Sequence, residues 1–137
     1  MEKNDTLLQA FEWYLPDDSQ HWNKLKVLAP SFSNLGVTLV WLPPAYKGAG
    51  GVHDVGYGVY DLYDLGEFDQ KGTIPTKYGT KQEYLDVISA LQKENISVLA
   101  DIVLNQKMGG DAEETIDVIK SDPNNRNEEI GGDYQIT

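Results

Sequence analysis

The sequence contains no cysteine, few basic residues and no long apolar run, and each absence excludes a class of protein. Without cysteine there is neither a disulfide nor a thiolate metal site, although this does not decide the compartment. The 11 basic residues stand against 22 acidic ones, and a net charge of −11 argues against nucleic-acid or anionic-membrane partners, because both would be repelled. No stretch approaches the roughly 18 apolar residues of a membrane helix.

The first residues of the chain also lack the long apolar core of a signal peptide. Residues 1–5 are polar, and they run directly into an apolar segment that is typical of a strand. We therefore expect a cytoplasmic protein, with an already processed secreted chain as the alternative.

The pattern of apolar residues predicts strands that alternate with helices. The chain has 137 residues, 40% of them hydrophobic, which suffices for one domain with a sizeable core. Segments 6–13, 37–42 and 96–103 are typical of strands, and 37–42 is apolar enough to be covered on both faces. Because helical patterns lie between them, the sequence predicts an α/β fold with a parallel sheet.

Local signals set the expected limits of the two helices. The first carries Trp22, Leu25, Ala29 and Phe32 on one face and should end at Gly36, with a kink or break at the proline of position 30. In the second, Thr80 and Glu83 form a capping box, the apolar stripe is Tyr84, Ile88 and Leu91, and Asn95 closes the helix.

The most distinctive segment is residues 56–68, which combine four aromatic residues and three carboxylates between glycines. It lies within a connection, residues 43–80, that is longer than most loops, and loops of this length are usually functional. Exposed aromatic faces beside hydrogen-bond acceptors suit sugars. A hairpin whose tyrosines simply pack is the equally weighted alternative on composition alone. Asp61, Asp64 and Glu67 are expected to tie the connection together by accepting hydrogen bonds.

Four segments resemble the α-amylases of glycoside hydrolase family 13, of the bacterial liquefying and cytoplasmic type. They are Gln-Ala-Phe-Glu-Trp-Tyr at 9–14, Val-Trp-Leu-Pro-Pro-Ala-Tyr at 40–46, the segment 56–68, and Ala-Asp-Ile-Val-Leu-Asn at 100–105. The resemblance implies the N-terminal part, about three β/α units, of a (β/α)8 TIM barrel over residues 1–104. Residues 105–137 would begin the inserted domain B.

The resemblance also implies roles for four residues at the carboxyl ends of the strands, where such barrels bind ligands. Tyr57 would stack on the sugar ring at the cleavage subsite, and Trp13 would line the same cleft; a surface tyrosine and ordinary packing are the respective alternatives. Asn105 would be one ligand of a structural Ca²⁺, which needs six to eight oxygen ligands. Gln106 stands where the family usually has a histidine that binds the sugar's hydroxymethyl group, so weaker substrate binding is expected.

The remaining candidate acids and bases are expected to be structural. By resemblance, Asp101 holds neighbouring strand ends and is not a catalytic acid. His21 and His53 have no partner at metal or triad spacing, so loop or surface roles are expected for both.

No catalytic residue is expected in this chain, because the family's three catalytic carboxylates follow the fourth, fifth and seventh barrel strands. The implied activity is hydrolysis of internal α-1,4-glucosidic bonds of starch, glycogen or maltooligosaccharides with retention, and the chain alone should be inactive. One alternative is a non-catalytic remnant or weak glycan-binding fragment, and another is transglycosylation on the same fold. The sequence does not indicate an oligomeric state, but the unpaired edges of a three-stranded sheet should make the isolated chain associate and unfold easily.

Overall fold

A computed structural model describes residues 4–132 and 134–137, and its centre is a three-stranded parallel sheet. The strands are β1 (Leu7–Gln9), β2 (Leu39–Leu42) and a third strand, Ser97–Ala100, which is β5 in chain order. β2 lies in the middle: Val40 is paired with Leu8 on one side and with Val98 on the other. The predicted parallel sheet is confirmed, but only one face of β2 is fully covered: Val40 and Leu42, which share a face, are fully buried, whereas Leu39 and Trp41 on the other face are partly buried.

The first and third strands are shorter than predicted because side chains compete for the backbone just beyond them. Ala10 still donates its N–H to the carbonyl of Trp41, but after it the Gln9 amide donates to the carbonyl of Phe11. The Glu12 carboxylate then accepts the N–H of Tyr14 at 2.6 Å. The chain therefore leaves the sheet early, and residues 11–14 are free to form part of a rim.

The helix α1 (His21–Asn34) is a single helix, so the predicted break at its proline is wrong. Pro30 is exposed, and the next residue toward the N-terminus, Ala29, is buried in the core together with Trp22. Packing on the buried face thus maintains the helix, although Pro30 removes one hydrogen bond from it. Gly36 ends the element as predicted: its φ is +80°, and the N–H of Val37 returns to the carbonyl of Phe32.

The helix α2 (Lys81–Lys93) begins and ends as predicted. Thr80 accepts the N–H of Glu83, and the Glu83 carboxylate accepts the N–H of Thr80 at 2.8 Å, which completes the capping box. Asn95 follows the helix with a φ of +59°, a conformation that Asn tolerates better than most residues.

The core lies where the two helices pack against each other and against the sheet. Within α2 the predicted stripe is confirmed for Tyr84 and Leu91, with Val87 fully buried beside them and Ile88 partly buried. The buried apolar residues of this cluster are Ala10, Trp22, Leu25, Ala29, Val40, Leu42, Ala45, Tyr78, Tyr84, Val87, Leu91 and Ile96.

The long connection is ordered by a buried ion pair between Lys47 and Asp64, neither of whose side chains is exposed. Lys47 Nζ lies 3.3 Å from Asp64 Oδ2 and donates to the carbonyls of Phe68, Thr73 and Ile74. Asp64 Oδ1 accepts the N–H groups of residues 66–68. Around this pair lie the short antiparallel strands β3 (Lys47–Gly48) and β4 (Val59–Asp61) and a 3₁₀ turn, Gly51–His53.

The predicted roles of the other two carboxylates of the connection are also confirmed. Asp61 accepts the N–H of Tyr63 and the side-chain amide of Gln70. Glu67 accepts both bonds from Lys81 Nζ, at the start of α2.

The last segment of the chain consists of two antiparallel strand pairs whose residues are mostly exposed. One pair joins β6 (Ile116–Val118) to β9 (Tyr134–Ile136), and the other joins β7 (Ser121–Asp122) to β8 (Asn125–Glu129). The division at residues 104 and 105 stays a prediction. Over residues 4–132 and 134–137, no helix has the length and apolarity needed to span a bilayer.

Candidate functional site

An aromatic cleft opens beyond the carboxyl ends of β1 and β2. Its clearest feature is the pair Trp13 and Tyr57, whose rings are nearly parallel, with 6° between their planes and centroids 6.2 Å apart. Trp13 is 60% exposed, so a large apolar ring faces solvent at the rim. The cleft has a volume of about 370 Å³ and is lined by Gln9, Phe11, Glu12, Trp13, Trp41, Val55, Tyr57 and Tyr78.

Tyr57 is held at both its hydroxyl and its backbone. The hydroxyl donates to Asp101 Oδ2 at 2.7 Å, just after β5. Burial, together with the hydrogen bond to Asp101 and the negative charge of that carboxylate, raises the pKa of Tyr57 to about 12. The side-chain amide of Gln106 donates to the carbonyl of Tyr57 at 3.1 Å. Together with Trp13, three separate segments of the chain therefore meet at Tyr57: residues 11–14, the long connection, and the residues that follow β5.

The structure brings together most of the residues that the sequence singled out. Trp13, Tyr57 and Gln106 lie at one rim, and Asp101 supports Tyr57 as a structural carboxylate would. Asn105 is adjacent and exposed, and its amide donates to Gln106 Oε1 at 3.1 Å. Their roles toward a ligand stay predictions.

Besides Trp13 and Tyr57, the cleft is lined by residues that were not predicted as site residues, among them Tyr78 and Trp41. Tyr78 is 1% exposed and donates its hydroxyl to the carbonyl of Val55 at 2.8 Å, so it supports the loop that carries Tyr57. Trp41 packs edge-on against Phe11, with centroids 5.2 Å apart. Trp41 lies on a predicted strand, where an aromatic residue normally indicates core, and nothing local marks it as part of a cleft.

The surface role expected for His21 is wrong, because this histidine is buried. Its Nε2 lies 2.7 Å from the carbonyl oxygen of Ala10, at the end of β1. Burial lowers the pKa of His21 below its ordinary value of 6.5, so the ring is neutral near pH 7. His53 is exposed as expected, and its Nδ1 lies 2.7 Å from Asp17 Oδ2.

A second depression, of about 490 Å³, lies between β4 and residues 107–111, and residues of its wall contact one another. The hydroxyl of Tyr60 donates to Asp111 Oδ2 at 2.7 Å, and Lys71 Nζ lies 4.0 Å from the centroid of the Tyr60 ring. Lys71 Nζ is also 3.2 Å from Asp111 Oδ1. These contacts fasten residues 107–111 to the long connection, and the apolar rings of the aromatic cleft suit a sugar better.

The calcium site implied by the resemblance stays a prediction. No group of three or more His, Asp or Glu side chains within residues 4–132 and 134–137 is arranged to hold a metal ion. The amide oxygen of Asn105 is a suitable donor for a hard cation, but one such ligand is far from the six to eight that Ca²⁺ requires.

The parallel sheet, its crossover helices and a cleft at the carboxyl ends of the strands define a TIM-barrel-related α/β protein. Its sequence matches the family model described as "Alpha amylase, catalytic domain" over residues 24–132. The chain therefore belongs to the α-amylase catalytic-domain family, glycoside hydrolase family 13, as the four segments had indicated.

Curated relatives of high identity are α-amylases and a related glucanase. The chain is 54% identical to an α-amylase of Geobacillus stearothermophilus and 51% identical to a glucan 1,4-α-maltohexaosidase of Bacillus sp. strain 707, in each case over 97% of this chain. It is 52% identical to a cytoplasmic α-amylase of Escherichia coli K12 over 90% of this chain. The matches cover only 24%, 26% and 25% of those three proteins, in the same order, so the chain spans about a quarter of their length.

Solved structures support the fold. A truncated alternansucrase from Leuconostoc mesenteroides superposes with a TM-score of 0.74 over 96% of this chain and 13% of its own, at 24% identity. At this identity the likeness concerns the fold alone.

Proposed function

We propose that these residues form part of the glucan-binding rim of an α-amylase-type glycoside hydrolase that cleaves internal α-1,4-glucosidic bonds with retention. The observation that carries the proposal is the parallel pair Trp13 and Tyr57 at the mouth of an apolar cleft. In this proposal, residues 1–104 supply about three β/α units of the barrel, and residues 105–137 begin domain B. The identity of more than 50% to two α-amylases and a maltohexaosidase supports the substrate class, α-glucans.

In this proposal, each side chain of the cleft makes a different contact with a bound sugar. The flat face of Tyr57 stacks on a pyranose, while its bond to Asp101 prevents the phenol from rotating. Trp13 extends the apolar surface toward the next ring. Gln106 contributes a polar contact beside them, although one of its two amide N–H groups already donates to the carbonyl of Tyr57. That competing bond supports the expectation that Gln106 binds a sugar hydroxyl less well than a histidine would.

The chemistry itself is proposed to need carboxylates from other strands. Retention requires a nucleophile and an acid/base about 5–5.5 Å apart. Glu12, which lines the cleft, accepts the N–H of Tyr14, and Asp101 accepts the Tyr57 hydroxyl. Both carboxylates are thus engaged in positioning, so the 137-residue chain alone is expected to be inert.

Two finer parts of the proposal concern calcium and location. Asn105 would contribute one oxygen ligand to a structural Ca²⁺, with the other ligands supplied by residues outside this chain. A cytoplasmic location is proposed from the similarity to the cytoplasmic α-amylase of E. coli, with a processed secreted chain as the alternative.

Binding of maltoheptaose to the purified chain, measured by isothermal titration calorimetry, tests the rim. Tyr57→Ala and Trp13→Ala should each weaken binding about tenfold, since aromatic anchors dominate such surfaces. Tyr63→Ala is the matched control, because Tyr63 is 86% exposed on the same connection and does not line the cleft. Equal losses in all three variants, or no binding by the wild-type chain, would contradict the proposed rim.

Release of reducing ends from starch distinguishes the proposed hydrolase from the alternative functions. The pure 137-residue chain should release none, and sustained release would overturn the proposed inertness. The alternative of a non-catalytic glycan-binding protein predicts maltoheptaose binding without hydrolysis in any longer polypeptide that contains this chain. Transglycosylation predicts transfer products longer than the added oligosaccharide.

A further inference from the structure

We propose that Asp54 is the positioning residue that holds Tyr57 in the cleft. Asp54 does not itself line the cleft. It follows the 3₁₀ turn Gly51–His53 and is partly buried beneath the glycine-rich segment that carries Tyr57. The importance of this contact for glucan binding rests on the function proposed above.

The carboxylate of Asp54 binds the backbone on both sides of Tyr57. Its Oδ1 accepts the N–H of Gly56 at 2.8 Å and the N–H of Gly58 at 3.1 Å. These are the residues immediately before and after Tyr57, so one oxygen fixes the plane of the backbone at that position. Its Oδ2 accepts the N–H of Gly50 at 3.1 Å, which joins the turn after β3 to the same side chain.

The glycines around Asp54 are explained by the space that its carboxylate occupies. A Cβ on Gly48 would lie 2.2 Å from Asp54 Cγ, and a Cβ on Gly58 would lie 2.3 Å from Asp54 Oδ2. Gly56 has a φ of +99°, and a Cβ there would lie 2.7 Å from Pro44 Cβ. A carboxylate surrounded by glycine N–H groups is therefore built into the loop, and any side chain at position 48 or 58 would displace it.

The geometry assigns different tasks to the two acids near Tyr57. Asp101 binds the hydroxyl and sets the far end of the ring, whereas Asp54 binds the flanking peptides and sets the direction in which the ring leaves the backbone. Tyr57 can lie parallel to Trp13 only if both ends are fixed. Loss of Asp54 should thus let the ring rotate away from Trp13 while the core stays intact.

Fluorine NMR of chain labelled with fluorotryptophan measures this position without any ligand. The chain has three tryptophans, and Trp13→Phe assigns the Trp13 resonance, which senses the nearby Tyr57 ring. In Asp54→Ala the Trp13 resonance should move toward its value in Tyr57→Leu. The resonance of Trp22, which is fully buried in the core, should stay in place.

Gly58→Ala tests the same contact from the other side, because its added methyl group displaces the carboxylate that Asp54→Ala removes. Gly58 is not among the residues with positive φ, so the substitution does not add backbone strain of that kind. Both variants should weaken maltoheptaose binding about tenfold, or about 1.4 kcal/mol. In the Asp54→Ala background, Gly58→Ala should add little, since the clashing atoms are gone. Asp86→Ala, on the exposed face of α2, is the control.

The outcomes are distinguishable. An unmoved Trp13 resonance in both variants would overturn the positioning role, and so would movement of Trp22 as large as that of Trp13, since Asp54 would then maintain the whole fold. If the wild-type chain binds no maltoheptaose but the Trp13 resonance moves as expected, the proposed function fails and the positioning of Tyr57 by Asp54 stands.

Discussion

At the scale of single residues, Tyr57 uses its hydroxyl for a hydrogen bond within the protein. It donates to Asp101 at 2.7 Å, and the raised pKa of about 12 keeps it protonated at any physiological pH. A sugar would therefore meet the ring face of Tyr57 and not an ionisable phenol. Because this hydrogen bond contributes to the raised pKa of Tyr57, the titration of the Tyr57 hydroxyl reports whether the bond is formed.

Ultraviolet difference titration of wild type against Tyr57→Phe should show Tyr57 ionising near pH 12, above the ordinary value of 10.0. Because the folded pKa lies above the unfolded one, the protonated hydroxyl stabilises the fold fully below pH 10 and loses this effect as the pH rises toward 12. In Asp101→Asn the pKa of Tyr57 should move down toward its ordinary value, since the carboxylate charge is gone. Ionisation of Tyr57 near pH 10 in the wild type would contradict the hydrogen bond.

The stability that depends on His21 should decrease at acidic pH, in contrast to that of Tyr57, which decreases at alkaline pH. Its folded pKa is lowered by burial, so the unfolded chain binds a proton first as the pH falls. The stability linked to His21 is therefore full above pH 6.5 and decreases as the pH drops from 6.5 toward the lower folded pKa. Urea unfolding followed at several pH values checks this dependence.

The variant that tests this dependence is His21→Gln. It should flatten the pH dependence of the free energy of unfolding between pH 6.5 and the lower folded pKa of His21. A wild-type slope that survives in His21→Gln would show that other groups cause it.

Sequence reasoning located residues whose motif is continuous but missed those defined by contacts across the chain. Tyr57, Trp13 and Gln106 each stand in a segment that reads as part of a rim. His21 was misplaced because its partner, the carbonyl of Ala10, is brought near only by the packing of α1 on the end of β1. The sequence alone does not identify Asp54 either, because its role depends on how the glycine-rich loop folds back over it.

At the scale of helices and strands, the sequence signals that act within one helical turn predict the structure correctly. The capping box at Thr80 and the positive φ values at Gly36 and Asn95 depend on neighbouring residues alone. Strand lengths were overestimated because pairing ends where side chains such as Gln9 and Glu12 capture the backbone. That competition has no periodic signature in the sequence.

Pro30 shows a local signal overridden by tertiary packing. Since α1 continues through it and its ring is exposed, Pro30→Ala should restore a helix hydrogen bond without opening a cavity. We expect the free energy of unfolding to rise by about 1–2 kcal/mol, after the greater entropy of the unfolded alanine chain is subtracted. Thermal and urea unfolding measure this change. A loss of stability in Pro30→Ala would mean that the proline ring makes a contact that the helix requires.

At the scale of the whole molecule, the sheet has two outer edges that bear no strand within residues 4–132 and 134–137. β1 and β5 form these edges, and apolar side chains lie along them, with Leu7 54% and Leu99 43% exposed. The outer face of α1 adds Val27 and Leu35, each 78% exposed. In relatives about four times as long, further barrel units are expected to cover such surfaces.

The isolated 137-residue chain should therefore self-associate through these edges. Sedimentation velocity over a range of protein concentrations should show species larger than 15.3 kDa, and Leu7→Lys with Leu99→Lys should shift the distribution toward monomer, because edge lysines oppose strand pairing. Leu85→Lys, at an exposed position of α2 away from the edges, should not. A chain that sediments as a monomer and unfolds in one cooperative step would show that three strands and two helices close a sufficient core without further units.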